Sequence, residues 1–187
     1  MPMIYVFFAP GFEDLEALAP VDILRRAGMA VKTVSIAGEP IVESAHGVGM
    51  RCDILLDEVE WESAELLVLP GGLPGATNLD ACEPLRKGLK KQAEAGRPVA
   101  AICAAPLVLG HLGILQGRRA TCYPGFEGEL TGATYTAALV ERDGNVVTGK
   151  GPGAAMAFGY ELLKLLGKKA EAEQLSEGMM YNFLLNA

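Results

Sequence analysis

Short apolar runs that stop abruptly at turn-forming or small residues constrain this chain more than any other feature. Met3-Ile-Tyr-Val-Phe-Phe8 stops at Ala-Pro-Gly11, Glu65-Leu-Leu-Val-Leu69 at Pro70-Gly71-Gly72, and Val99-Ala-Ala-Ile102 at Cys103. Runs this short, bounded this way, read as strands buried on both faces. Residues 31–36 add another strand, and 41–56 contain extended pieces broken by Gly47 and Gly49. Helical spacing fills much of the rest. Residues 13–27 form a helix closed by Gly28, with Leu15, Leu18, Val21 and Ile23 on its apolar face. Residues 84–95 form a second helix closed by Gly96; helices are also expected just after Cys103, over 154–166 and over 168–181. Residues 134–148 read as a hairpin turning at Asp143-Gly144.

Strands alternating with helices predict an α/β fold, a flavodoxin-like three-layer sandwich with a mostly parallel sheet, helices on both faces and one antiparallel hairpin. No linker, repeat or low-complexity stretch interrupts the pattern, so a single domain over 1–187 is expected.

Half of the residues are hydrophobic, enough for a full core, and the net charge is -7. That balance disfavours specific nucleic-acid binding, which needs a basic surface. No apolar run approaches the roughly 18 residues of a membrane span. Residues 3–9 are too short for a signal-peptide core and lack a basic flank, so a cytoplasmic protein is expected. Cys52, Cys82, Cys103 and Cys122 match no zinc spacing and read as four free thiols. With only His46 and His111 besides, neither a metal nor a cofactor is expected.

Three strand ends converge on one rim of such a sheet, and that rim is where open α/β sheets bind ligands. One delivers Cys103 at a strand-to-helix turn, where the positive end of a helix dipole favours thiolate. One delivers Gly71 and Gly72, which either terminate a strand or bring backbone N–H groups close to a developing oxyanion. The first delivers 9–16, in which Glu13 and Asp14 suit the start of a helix, whereas Glu16 sits oddly on a buried-looking face. A desolvated carboxyl beside a thiol has a raised pKa and can hold or move a proton. Gly149-Lys-Gly-Pro-Gly153 lacks the spacing of a phosphate loop and reads as a turn into a helix. Arg25 and Arg26 read as solvated, although one could reach an anion or a dimer partner.

Taken in order, Pro10-Gly-Phe-Glu-Asp-Leu-Glu16-Ala, Pro20-Val-Asp-Ile-Leu-Arg-Arg-Ala-Gly28, Val68-Leu-Pro-Gly-Gly72, Ala100-Ala-Ile-Cys-Ala-Ala-Pro106 and Gly151-Pro-Gly153 resemble the DJ-1/ThiJ/PfpI superfamily, and most closely its DJ-1-like branch. The resemblance implies a homodimer, a reactive Cys103, Glu16 as its acidic partner, and oxyanion-hole amides at Gly72 and Ala104. It also implies easy oxidation of the cysteine to a sulfinate. Ala104 stands where protease-type members carry histidine, which disfavours a protease. His111 is expected about 12 Å along the following helix, at 1.5 Å per residue. Tyr123 stands in Thr121-Cys-Tyr-Pro124 where the branch often has histidine, and it brings Cys122 toward the pocket as a candidate resolving thiol.

These residues suit a metal-free, glutathione-independent glyoxalase or deglycase acting on small 2-oxoaldehydes such as methylglyoxal. Cys103 would be the nucleophile and Glu16 the proton shuttle, with Gly71, Gly72, Ala104 and Tyr123 around the substrate and Cys122 and Arg26 as secondary candidates. The alternatives are a redox-sensing protein of oxidative stress built on the same cysteine, or a holdase chaperone that does not need it.

Overall fold

The computed structural model describes residues 2–185. Its elements run β1 (Met3–Phe8), α1 (Asp14–Arg26), β2 (Val31–Ser35), β3 (Ile41–Glu43), β4 (Gly49–Arg51), β5 (Ile54–Leu55), β6 (Ala64–Leu69), α2 (Gly75–Ala81), α3 (Glu83–Glu94), β7 (Val99–Ile102), α4 (Pro106–His111), β8 (Arg119–Ala120), β9 (Thr134–Tyr135), β10 (Val140–Asp143), β11 (Val146–Gly149), α5 (Ala155–Leu165), α6 (Lys169–Gly178) and α7 (Tyr181–Leu185). Seven strands form one sheet in the order β10-β11-β7-β6-β1-β2-β5. Every neighbouring pair is parallel except β10 with β11. The chain leaves β1 toward β2 on one side and returns as β6 on the other, so the strand order reverses between β1 and β6.

The central strands β1, β6 and β7 are buried on both faces because their residues are apolar apart from Glu65, and alternate side chains go to opposite sides. From β1, Ile4, Val6 and Phe8 enter one core together with Ile23 and Leu24 of α1, Phe158 and Leu162 of α5, and Ala172 of α6. Tyr5 and Phe7 enter the other, with Leu79 of α2, Leu85 and Leu89 of α3, and Leu107 and Leu109 of α4. The result is the expected three-layer α/β sandwich. None of the helices described is long and apolar enough to cross a membrane.

The helix over 13–27 turns a different face inward from the one its leucines suggest. Glu16, Ala17, Pro20, Val21, Ile23 and Leu24 are buried, whereas Leu15 and Leu18 are 59% and 38% exposed. The reason lies on α5. Gly159 has no Cβ, and one placed there would come 2.7 Å from Ile23 Cδ1. The glycine lets α1 approach through its Pro20 and Ile23 side.

Three expectations shift in detail. The antiparallel hairpin is confined to β10 and β11, with Gly144 in the left-handed region (φ 61°) at its turn. Residues 134–135 instead pair in parallel with β8. The helix expected over 168–181 is two helices, parted where Met180 takes φ 61°. Between β6 and α3 lies α2, which no apolar period announces.

Candidate active site

The ends of β1, β6 and β7 meet beside the point where the strand order reverses, and the thiol and the carboxyl are there. Cys103 follows β7 directly and is one of three non-glycine residues with positive φ among the described residues, at 66°. A side chain in that conformation costs on the order of 1 kcal/mol. Two backbone bonds hold it: Cys103 N–H donates to the Gly149 carbonyl at 2.9 Å, and Tyr123 N–H donates to the Cys103 carbonyl at 2.8 Å. The residue is 8% exposed.

Glu16 lies in the first turn of α1 and is fully buried. Its own N–H donates to Glu13 Oε2 at 2.8 Å, which makes Glu13 the N-cap. Its Oε2 accepts from Gly71 N–H at 3.1 Å, and Oε1 has no conventional hydrogen-bond partner. The Cys103 thiol also hydrogen-bonds this carboxyl. Burial raises the Glu16 pKa to about 7, with the Glu13 carboxylate pushing the same way; the contacts to Cys103 and Gly71 N–H oppose them. Burial raises the thiol to about 12, reinforced by the adjacent Glu16, while the Gly72 and Ala104 amides donate toward the sulfur and lower it.

The thiolate is thus not favoured by position alone. The helix behind Cys103 is short and starts only at Pro106, and desolvation beside a carboxyl outweighs its dipole.

The glycines are required by space. A Cβ on Gly71 would lie 2.5 Å from Glu16 Oε2 and 2.6 Å from Cys103 Cβ, so any side chain there would part the two groups. Gly72 has φ 90°, with the Gly11 carbonyl packed where its Cβ would be. No sequence pattern marks Gly11. The sequence marks Glu13 only as a helix-start charge, although its N–H also donates to the Gly71 carbonyl at 2.9 Å.

Tyr123 is half exposed and stands over Gly151, beside a cavity of about 210 Å³ that Leu139, Lys150 and Pro152 also line. The 149–153 stretch behaves as read, a turn leading through a 3-10 segment into α5. Two secondary candidates are not brought in. Cys122 is fully buried and packs in the core on the opposite face of the sheet from Cys103, which leaves it badly placed as a resolving thiol. Arg26 lies at the other end of α1, about 15 Å from Glu16 at 1.5 Å per residue, and is ion-paired to Asp22 at 2.9 Å.

His46 is ion-paired to Asp14 at 2.6 Å and His111 to Asp80 and Glu129. Glu13, Asp14 and His46 bring ligand atoms within 4.8 Å of one another. Glu13 is already the cap of α1, and Asp14 Oδ2 and His46 Nδ1 already bond each other.

A parallel sandwich presenting a strained cysteine and a buried carboxyl beside its switch point defines a thiol–carboxyl site of flavodoxin-like architecture. The chain belongs to the DJ-1/PfpI family, whose model matches residues 2–165. A DJ-1 homolog B from Arabidopsis thaliana is 44% identical over 88% of this chain, which spans only 38% of that relative's length. A Pyrococcus abyssi protein named a deglycase is 34% identical over 87% of this chain and 98% of its own. The solved structure of oxidized DJ-1 from Toxoplasma gondii superposes with a TM-score of 0.92 at 32% identity, covering 96% of this chain and 98% of that one.

Proposed function

We propose that this protein is an enzyme that converts small 2-oxoaldehydes to 2-hydroxy acids, or removes their adducts, with no metal and no glutathione. The observation that carries the reading is the contact between the Cys103 thiol and a buried carboxyl whose pKa lies near 7. Kinship with the archaeal protein named a deglycase supports it.

Glu16 as carboxylate takes the thiol proton while sulfur adds to the aldehyde carbon. A C–S bond forms, and the carbonyl oxygen becomes the hydroxyl of a hemithioacetal on receiving that proton. The Gly72 and Ala104 amides, turned toward the sulfur, are near enough to serve the developing oxyanion. Glu16 then removes the C–H proton from the hemithioacetal carbon and returns it to the neighbouring carbon. The first carbon is oxidised to a thioester and the second reduced to an alcohol, so no outside oxidant is used. Water cleaves the thioester, releasing the 2-hydroxy acid and the thiol.

The test is direct. Purified protein treated with a chelator, in glutathione-free buffer, is expected to form lactate from methylglyoxal. No lactate above the protein-free background, together with selective gain of two oxygens at Cys103 under mild peroxide, would favour the redox-sensing reading. That reading draws on the same amides and carboxyl, which suit an oxidised sulfur as well.

The partner is inferred to be a second copy of the chain. Leu15 and Leu18 of α1 and Ile41 and Val48 of the neighbouring β3–β4 hairpin are exposed. The hairpin is tied to the start of α1 by Ala45 N–H donating to the Phe12 carbonyl at 2.8 Å. Sedimentation at micromolar concentration is expected to give a dimer that Leu18→Glu splits, and a monomeric wild type would overturn this.

A further inference from the structure

Away from the thiol, one side chain serves two acceptors that only its charged form can satisfy. His111 closes α4, with Nδ1 2.9 Å from Asp80 Oδ2 and Nε2 2.8 Å from Glu129 Oε2. Ionised carboxylates only accept, and a neutral imidazole has a single N–H. Both bonds therefore exist together only on the imidazolium. The hydrogen bonds to Glu129 and Asp80 hold the ring's pKa above its ordinary value.

The groups joined belong to different elements. Asp80 is in α2 and is gripped from behind by Arg86 of α3, which donates to its side chain and its carbonyl. Glu129 is in the 3-10 turn Glu127–Glu129, which lies directly on α4: a Cβ on Gly110 would overlap the Glu129 carbonyl. The turn's other charge, Glu127, bends back to Gly125 N–H at 2.9 Å. Each joined element leads to the site. Gly72 lies just before α2, Ala104 just before α4, and the turn ends the segment that begins with Tyr123, whose N–H is on the Cys103 carbonyl.

We propose that His111, as imidazolium, is a positioning residue that clamps α2 and segment 121–131 onto α4 and so sets the Gly72 and Ala104 amides and Tyr123 around Cys103. Its consequence for catalysis rests on the thiol–carboxyl reading above; its test does not. When the ring loses its proton, one of the two bonds must go, and the side of the site attached through it loosens.

Hydrogen exchange of the wild-type protein at pH 6 and pH 8.5, corrected for intrinsic chemistry, reads the clamp. Amides of 121–131 are expected to be about threefold less protected at the higher pH, the size suited to a partly exposed ion pair. His111→Gln is expected to show the lower protection at both pH values. His111→Lys keeps a cation with three N–H donors and is expected to hold the segment at both. Flat wild-type protection, or a step that persists in His111→Gln, overturns the clamp. Alkylation of Cys103 by iodoacetamide at pH 6 reads positioning without any turnover. A rate that moves in His111→Gln and is restored in His111→Lys supports it, and a rate unchanged in both overturns the link to the site.

Discussion

Cys103→Ala is expected to abolish lactate formation from methylglyoxal, a loss of at least about 10³-fold, the scale on which removal of a covalent nucleophile acts. The variant folds, because alanine fills most of the same small space at the end of β7 and keeps the backbone bonds to Gly149 and Tyr123. It also keeps the strain, since φ at this position is 66° for whichever residue stands there. Cys103→Gly separates strain from chemistry. It is equally inactive, yet denaturation should find it at least as stable as Cys103→Ala, because glycine recovers about 1 kcal/mol at a left-handed position. Turnover by either variant at the wild-type rate would remove the cysteine from the mechanism. An alanine variant clearly more stable than the glycine variant would remove the strain.

Glu16→Gln is expected to lower turnover by roughly 10²- to 10⁴-fold, the usual worth of a placed general acid–base, and to change how stability depends on pH. In the wild type the pair must lose one proton before the carboxylate can take the thiol's. The rate should therefore rise through an apparent pKa near 7 and stay level well above it, as the second proton is held to about 12. The sign for stability is the reverse. The folded pKa of Glu16 lies above its ordinary value of 4.5, so the folded protein binds this proton more tightly than the unfolded chain. Stability is fully present below about pH 4.5 and is lost as pH rises toward 7, by about 3 kcal/mol. Glu16→Gln keeps a neutral side chain throughout, so it should lack that decline and be more stable than wild type at pH 8. Urea titrations of both proteins at pH 5 and pH 8 check it; parallel pH dependence would place the burial cost elsewhere.

The central strands β1 and β7 were legible because burial on both faces leaves no charged position to blur the pattern, and they fall where the apolar runs do. Cys103, Glu16 and Gly72 were legible because each breaks a local rule at a strand or helix end. What escaped has equally local causes. In α2 only Gly75, Ala76 and Leu79 are buried, too few to draw a helical stripe. The inward face of α1 is chosen by Gly159, a residue far along the chain. Cys122 lies in the loop after β8 and packs in the core with Leu107 and Leu109 of α4, a placement that no strand period in its own segment announces. The role of His111 is hidden in the sequence because only the folded chain brings Asp80 and Glu129 to its two nitrogens.

Glu16 and Cys103 are made far apart and meet only when β1, β6 and β7 lie side by side. Until then the cysteine has an ordinary thiol, and any electrophile that reaches an unstructured chain can consume it. Completion of the sheet buries that sulfur beside Glu16 and raises its pKa, which quiets it toward indiscriminate reagents. If Cys103 is the nucleophile proposed above, the same step that finishes folding protects it, and damage there should fall first on newly made or heat-loosened molecules.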